Sequence, residues 1–428
     1  MSDHSTAKLV RAIGFWGLVA MCINAVVGSG VFLLPSESYK LLGAFSLWAP
    51  LIAAVPVFIL VLCFAEAASH FSEPGGAYLY AKTAFGDFIG FETGWMNWIA
   101  RVTSLASLSN GFVVSLARLF PILGTGYARA GVIILTLAIL MAIHLVGVRY
   151  GAASIYVFTF GKLIPLVGFI VLALVVWKSN PVPASMHLPG PGTHWNDVWL
   201  FMLFLYAGFE NLGVPAGEFK NPRRDLPLAL LVGILMIAAI YVLTQLGAMA
   251  ALPDLSKTDT PIADAAAAII GSPGAIIITL GALLSMAGTN SGTMFEGSRM
   301  LYALSLDRPK LRTISYVHPR FHTPIIAIAI HAVVATALAL GGSFAKLALL
   351  SAVARLTTYL FTCAALPRLR KINEGFRTPG LIIPILGTLI SIATFFFLDW
   401  PKFLAASIAL AAGAIIALLT RNGRSAPA

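Results

Sequence analysis

Ile23-Asn24-Ala25-Val26-Val27-Gly28-Ser29-Gly30-Val31-Phe32 puts two glycines and a serine in the middle of the apolar run 13–35. Phe204-Leu205-Tyr206-Ala207-Gly208-Phe209-Glu210-Asn211-Leu212-Gly213-Val214-Pro215 does the same in the run 197–217, where Gly208, Gly213 and Pro215 frame a glutamate. Glycine and proline weaken a helix most where no water can repair the lost backbone bonds. Both runs are therefore expected to be helices that break near mid-membrane. Taken alone, Gly28 and Gly30 also fit a face of small residues that lets helices pack closely. The second break, at a corresponding place, favours interruption.

The rest of the chain supports a membrane setting for these breaks. Of 428 residues 59% are hydrophobic and 11% charged, against about 45–50% and about 25% in ordinary globular domains. A soluble domain is excluded, and the net charge of +11 reads as loop bias rather than as a nucleic-acid surface. Apolar runs fall at 13–35, 43–69, 85–118, 130–148, 155–178, 197–217, 227–251, 274–304, 325–342, 344–366, 380–398 and 402–420. Each is about twice the length of a barrel strand and none alternates in polarity. The expected fold is therefore an all-α integral membrane protein of about twelve transmembrane helices. Cys22, Cys63 and Cys363 all sit in apolar runs without CxxC or His spacing, so neither a disulfide framework nor a metal site is expected.

The first span, preceded by Lys8 and Arg11 and lacking a cleavable signal pattern, is expected to insert uncleaved. With the N-terminus inside, about 17 of the 28 basic residues fall on the cytoplasmic side, including Arg223, Arg224, Arg308, Lys310, Arg312 and Arg370. Both termini are thus expected in the cytoplasm. Breaks in spans one and six fit two inverted repeats of five helices plus two more, the pattern of secondary transporters. The expected division is a tail at 1–12, repeats at 13–178 and 197–366, two further spans at 380–420 and a tail at 421–428. A half-helix that begins at a break presents free N–H groups and a positive dipole end, which suits a carboxylate. The half that ends there presents carbonyls, which suit an ammonium. Two such breaks facing each other can hold the backbone of a free amino acid.

Four stretches carry a resemblance to the amino acid–polyamine–organocation (APC) superfamily of permeases. They are Gly28-Ser29-Gly30; Glu66-Ala67-Ala68-Ser69-His70-Phe71-Ser72-Glu73-Pro74-Gly75-Gly76-Ala77-Tyr78-Leu79-Tyr80; Gly208-Phe209-Glu210 through Glu218-Phe219-Lys220-Asn221-Pro222-Arg223-Arg224-Asp225-Leu226-Pro227; and Ser298-Arg299-Met300-Leu301-Tyr302-Ala303-Leu304. The polar loop after span six is the most specific, since hydrophobicity gives it no reason to arise. The resemblance covers essentially the whole chain. It implies a leucine-transporter-like five-plus-five fold, alternating access, and amino-acid uptake, efflux or exchange.

Ionisable residues inside spans are costly and mark function by default. For Lys162 the resemblance implies an ammonium between spans one and eight, where sodium-coupled relatives hold sodium; desolvation of such a lysine would let it lose and regain a proton during the cycle. Snorkelling to the surface is the plainer alternative. Glu210 is expected to steady the unwound segment rather than to touch substrate. Arg101 admits two readings, a structural pair with Glu210 or a pocket wall that repels cationic side chains and accepts an acidic substrate; Asn97 shares its face. Glu296 and Arg299 have the i, i+3 spacing of a mutual pair, and Arg355 has no evident partner. On span eight Ser285, Met286 and Asn290 are placed along the central cavity, with Ser285 beside Lys162. The substrate is expected against Val27, Gly28, Ser29, Gly30, Ala207 and Gly208, with Tyr206 and Phe209 as aromatic caps or as core.

These readings favour a sodium-independent carrier of neutral amino acids, proton-coupled or exchanging, in a bacterial inner membrane or other plasma membrane. A polyamine or cationic amino-acid antiporter is the alternative, supported by Glu210 and opposed by Arg101. No GxxxxGK[ST] string supports ATP-driven transport, and no Ser/His or paired-acid cluster supports an intramembrane enzyme. His144 and His331 read as buried structural residues. No cofactor is expected. No outer-loop cysteine points to an obligate partner subunit.

Overall fold

The computed structural model describes residues 13–71, 75–146, 151–179, 189–190, 192–213, 219–306, 308–321, 323–372, 375–396 and 398–420. Both tails, with Lys8 and Arg11, and Glu73, Pro74, Arg149, Pro215 and Glu218 lie outside the described residues. The first span is two pieces, α1 (Phe15–Val26) and α2 (Gly30–Leu42), bent by 44° where the glycines fall. Spans two to five are α3 (Ala49–Ser69), then, after the short α4 (Ala77–Phe85), α5 (Asp87–Leu119), α6 (Gly126–Val146) and α7 (Gly151–Ser179). The sixth begins as α8 (Trp195–Tyr206) and stops at Ala207, whose extended backbone leads to Gly208 at φ +133. Then follow α9 (Pro222–Ala251), the short α10 (Pro261–Ile270), α11 (Ser272–Leu306), α12 (Ile325–Gly341), α13 (Phe344–Ile372), α14 (Ile382–Phe396) and α15 (Trp400–Thr420).

Among the described residues eight helices are long and apolar enough to cross a membrane by themselves, and the bent first pair makes nine. The broken sixth span, α12 and α14 complete the twelve places read from the sequence. Pro222 and Pro261 open α9 and α10 at positions where a helix has no intrahelical use for the N–H. Among the described residues no strand forms; a lone parallel bridge joins Ile13 to Phe219, with Lys220 N–H donating to Ile13 O at 2.9 Å.

Burial sorts the spans. The apolar window of α5 is 78% buried and that of α13 72%, whereas those of α6 and α15 are 22% buried. α5 and α13 are therefore central and pack along each other, while α6 and α15 present Ile134, Leu135, Ile139, Ile408, Ile415 and Leu418 outward to lipid. α5 also runs along α11, and α3 along α9. At one end of the bundle α10 packs on α11, α9 and α2, its Asp264 pairs with Arg118 of α5, and in the segment ahead of it Thr258 O accepts from Ser36 Oγ at 2.6 Å.

The motif residue Glu66 is completely buried at the end of α3, where it accepts from Arg370 Nε and Nη2 and from the amide and hydroxyl of Thr378 at 2.9 and 2.6 Å. One carboxylate thus clasps α13 and the segment before α14 to α3. Glu66→Gln leaves Arg370 and Thr378 partly unanswered and is expected to cost about 2–3 kcal/mol. The check is thermal unfolding of the detergent-purified protein. An unchanged melting temperature would mean the clasp contributes nothing.

Candidate functional site

At the first break α1 ends with carbonyls that have no helical partner, and side chains from three other spans answer them. Lys162 of α7 is fully buried, and its Nζ donates to Val27 O at 2.7 Å, Asn24 O at 3.1 Å and Thr289 Oγ1 at 3.2 Å. An ammonium at the C-terminal, negative end of a half-helix is electrostatically well placed. It has no carboxylate among these contacts. Ser285 Oγ of α11 lies within hydrogen-bond reach of Val27 O (3.1 Å) and Gly28 O (3.2 Å). Tyr241 Oη of α9 reaches Val26 O at 3.2 Å and Leu205 O at 2.9 Å, so one phenol bridges the ends of α1 and α8.

The two breaks touch. A Cβ on Gly208 would stand 2.7 Å from the carbonyl carbon of Ala25 and closer still to its oxygen. Only glycine permits this approach at a positive φ. Gly30, which opens α2, packs against Leu205 of α8. Gly28 faces Leu108 and Thr289, and Ser29, fully buried and with no partner for its hydroxyl among the described residues, meets Gly111 of α5, which also faces Met286.

Beside the second break lies a group of four charges, three of them buried. Glu210 Oε2 accepts the Gly208 N–H at 2.9 Å, and Oε1 accepts Arg101 Nη2 at 2.8 Å and Arg355 Nη1 at 3.0 Å. Arg101 turns its other terminal nitrogen to Glu296 Oε2 at 2.9 Å. Glu210, Arg101 and Arg355 are each at most 4% exposed. The order Glu296, Arg101, Glu210, Arg355 alternates in sign and sums to zero, which is what lets ionised Arg101, Glu210 and Arg355 remain buried, with Glu296 at the partly exposed end. The alternation also fixes Glu210, through Gly208, to the break itself.

Residues 13–418 match a family described as amino acid permease. The chain belongs to the amino acid permease family, within the APC superfamily. It is a multi-span membrane transporter for amino acids, not an enzyme. The serine/threonine exchanger SteT of Bacillus subtilis is 29% identical over 377 residues, covering 86% of this chain and 85% of its own. Uncharacterized transporters of Mycobacterium tuberculosis and Mycobacterium bovis are 30% identical over 384 residues, covering 83% of this chain and 80% of theirs.

Within the permease, the residues singled out from sequence fall into distinct places. Val27, Gly28, Ser29 and Gly30 form the first break and Ala207, Gly208 and Phe209 the second. Tyr206 is fully buried; its hydroxyl donates to Pro50 O at 2.8 Å and its ring meets Tyr241 edge-on. Phe209 stacks on Tyr359 at 5.7 Å and meets Phe64 edge-on, a core arrangement. Asn97 and Asn290 are buried, and neither amide has a hydrogen-bond partner among the described residues. His144 bonds Ser291 Oγ at 3.1 Å, and His331 is fully buried against Gly297.

One sequence expectation is corrected. The Glu296–Arg299 pair does not form: Glu296 turns to Arg101, and Arg299 lies 4.0 Å over the Phe295 ring and donates to Ser298. The tertiary approach of α5 offers Glu296 a fully desolvated guanidinium, a better partner than a neighbour on its own helix surface. Ser285 stands beside Lys162, both donating to Val27 O, and the hydroxyl that Lys162 itself bonds is that of Thr289, one turn beyond Ser285. Thr289, Tyr241 and Gly111 were missed. For Thr289 the i+4 spacing from Ser285 was the available signal.

Proposed function

We propose that this permease moves small neutral amino acids without sodium, by proton coupling or exchange, through alternating access. The observation that carries the reading is the contact of two helix breaks, Gly208 on Ala25. The first amides of α2, around Gly28 to Gly30, suit the substrate carboxylate, and the carbonyls ending α8 suit its ammonium. Ser29, Asn97 and Asn290 supply buried polar atoms without partners among the described residues, and Met286 and Gly111 bound the space near Ser29. The likeness to an exchanger named for serine and threonine supports a small neutral side chain. The polyamine reading loses its support, because Glu210 is already taken by Arg101 and Arg355.

The repeats would be 13–178 and 197–366, followed by the pair 380–420. The excess of basic residues in alternate loops supports a plasma membrane, such as a bacterial inner membrane, with both termini cytoplasmic. Lys162, fixed on the carbonyls of α1, stands as a built-in cation, and this supports sodium independence. Lys162→Ala leaves those carbonyls unanswered. It is expected to cut uptake of L-serine into proteoliposomes at least about thirtyfold, consistent with 2 kcal/mol or more. In the wild type, replacing sodium by choline is expected to leave uptake unchanged. A requirement for a sodium gradient would overturn the reading.

A further inference from the structure

We propose that the four-charge group is built to divide, and that Glu296 is the residue that holds Arg101 when Glu210 moves away. The inference rests on the alternating-access reading above. Glu210 is bonded through Oε2 to the amide of Gly208, so any displacement of the sixth-span break carries its carboxylate along. Arg101 and Glu296 lie inside the unbroken helices α5 and α11, which pack along each other, so their 2.9 Å pair survives that displacement. Arg355 bonds the same Glu210 oxygen as Arg101, and Glu210 is its one acid partner among the described residues. The helix of Arg355, α13, packs on α8 as well as on α5, so Arg355 stays within reach of Glu210, and on separation the group resolves into Arg101–Glu296 and Arg355–Glu210. Each pair is neutral, and no buried charge is stranded.

Without Glu296 the packed state still keeps both arginines on Glu210, but the divided state leaves Arg101 alone. Glu296 is thus a positioning residue whose loss raises the barrier to movement and spares binding. The side chain of Glu296 is 21% exposed, so water softens the penalty of losing it, and a fall in turnover of about a hundredfold is expected.

The test compares equilibrium binding of L-serine, L-alanine and L-leucine to purified full-length protein with counterflow of the same amino acids in proteoliposomes. Glu296→Gln is expected to slow counterflow about a hundredfold with the Kd within threefold. Glu296→Asp should restore counterflow to within tenfold of wild type. Arg101→Gln combined with Glu296→Gln should be faster than Glu296→Gln alone, because no charge is left to strand. Wild-type counterflow in Glu296→Gln, binding lost in step with turnover, or a double variant slower than the single one would each overturn the inference. If Glu296→Gln does not fold, the other two variants decide: recovered folding and counterflow support it, and recovered folding without counterflow overturns it. A wild type that binds and moves none of the three amino acids fails the carrier reading and the inference with it.

Discussion

Glu210→Ala is expected to abolish transport and to lose most of the folded protein. Its carboxylate answers Arg101, Arg355 and the Gly208 amide at once, and alanine answers none of them. Removing one partner of a buried pair costs about 3–5 kcal/mol, and here two guanidiniums lose the same acceptor, although Glu296 keeps Arg101 from complete isolation. A typical fold has only about 5–15 kcal/mol in total. The measurement is the monodisperse yield and melting temperature in detergent, followed by uptake. Glu210→Gln should fall between, keeping an acceptor oxygen but leaving two positive charges against one negative. Wild-type yield from Glu210→Ala would show that the four charges hold nothing together.

Gly208→Ala is expected to have the second-largest effect, for a steric rather than an electrostatic reason. The new methyl group meets backbone, the Ala25 carbonyl, which has no rotamer by which to retreat. A non-glycine residue at φ +133 adds about 1–3 kcal/mol of strain. The breaks must move apart, and uptake should fall at least about a hundredfold. Gly30→Ala is the control: its added methyl meets the tip of the Leu205 side chain at 2.9 Å, a group that can turn aside. That variant should retain at least a tenth of wild-type uptake. Equal losses in the two variants would contradict the claim that contact between the breaks matters.

Both breaks could be read from the sequence because glycine and proline act locally, within the residue's own turn. The all-helical, many-span character was legible for the same reason, since hydropathy is summed along the chain. What lay hidden was partnership across the bundle. Arg355 finds its acid 145 residues away on a different span, and nothing near Arg355 in sequence signals it. Local spacing actively misled for Glu296, where an i, i+3 neighbour was passed over for Arg101, 195 residues distant. Tyr241 sits in an unremarkable apolar run, and its role depends on two helix ends that exist only once α1 and α8 have stopped.

The approach of Gly208 to Ala25 and the phenol of Tyr241 fasten the two interrupted spans to each other where they break, and the bridge from Ile13 to Phe219 joins the residue ahead of α1 to the segment ahead of α9. Two bars joined in this way behave mechanically as one plate with a single axis of swing. On the carrier reading, tilting that plate to open one mouth closes the other by the same stroke. An arrangement of this kind guards against leak by linkage, because a state with both mouths open would require the plate to come apart.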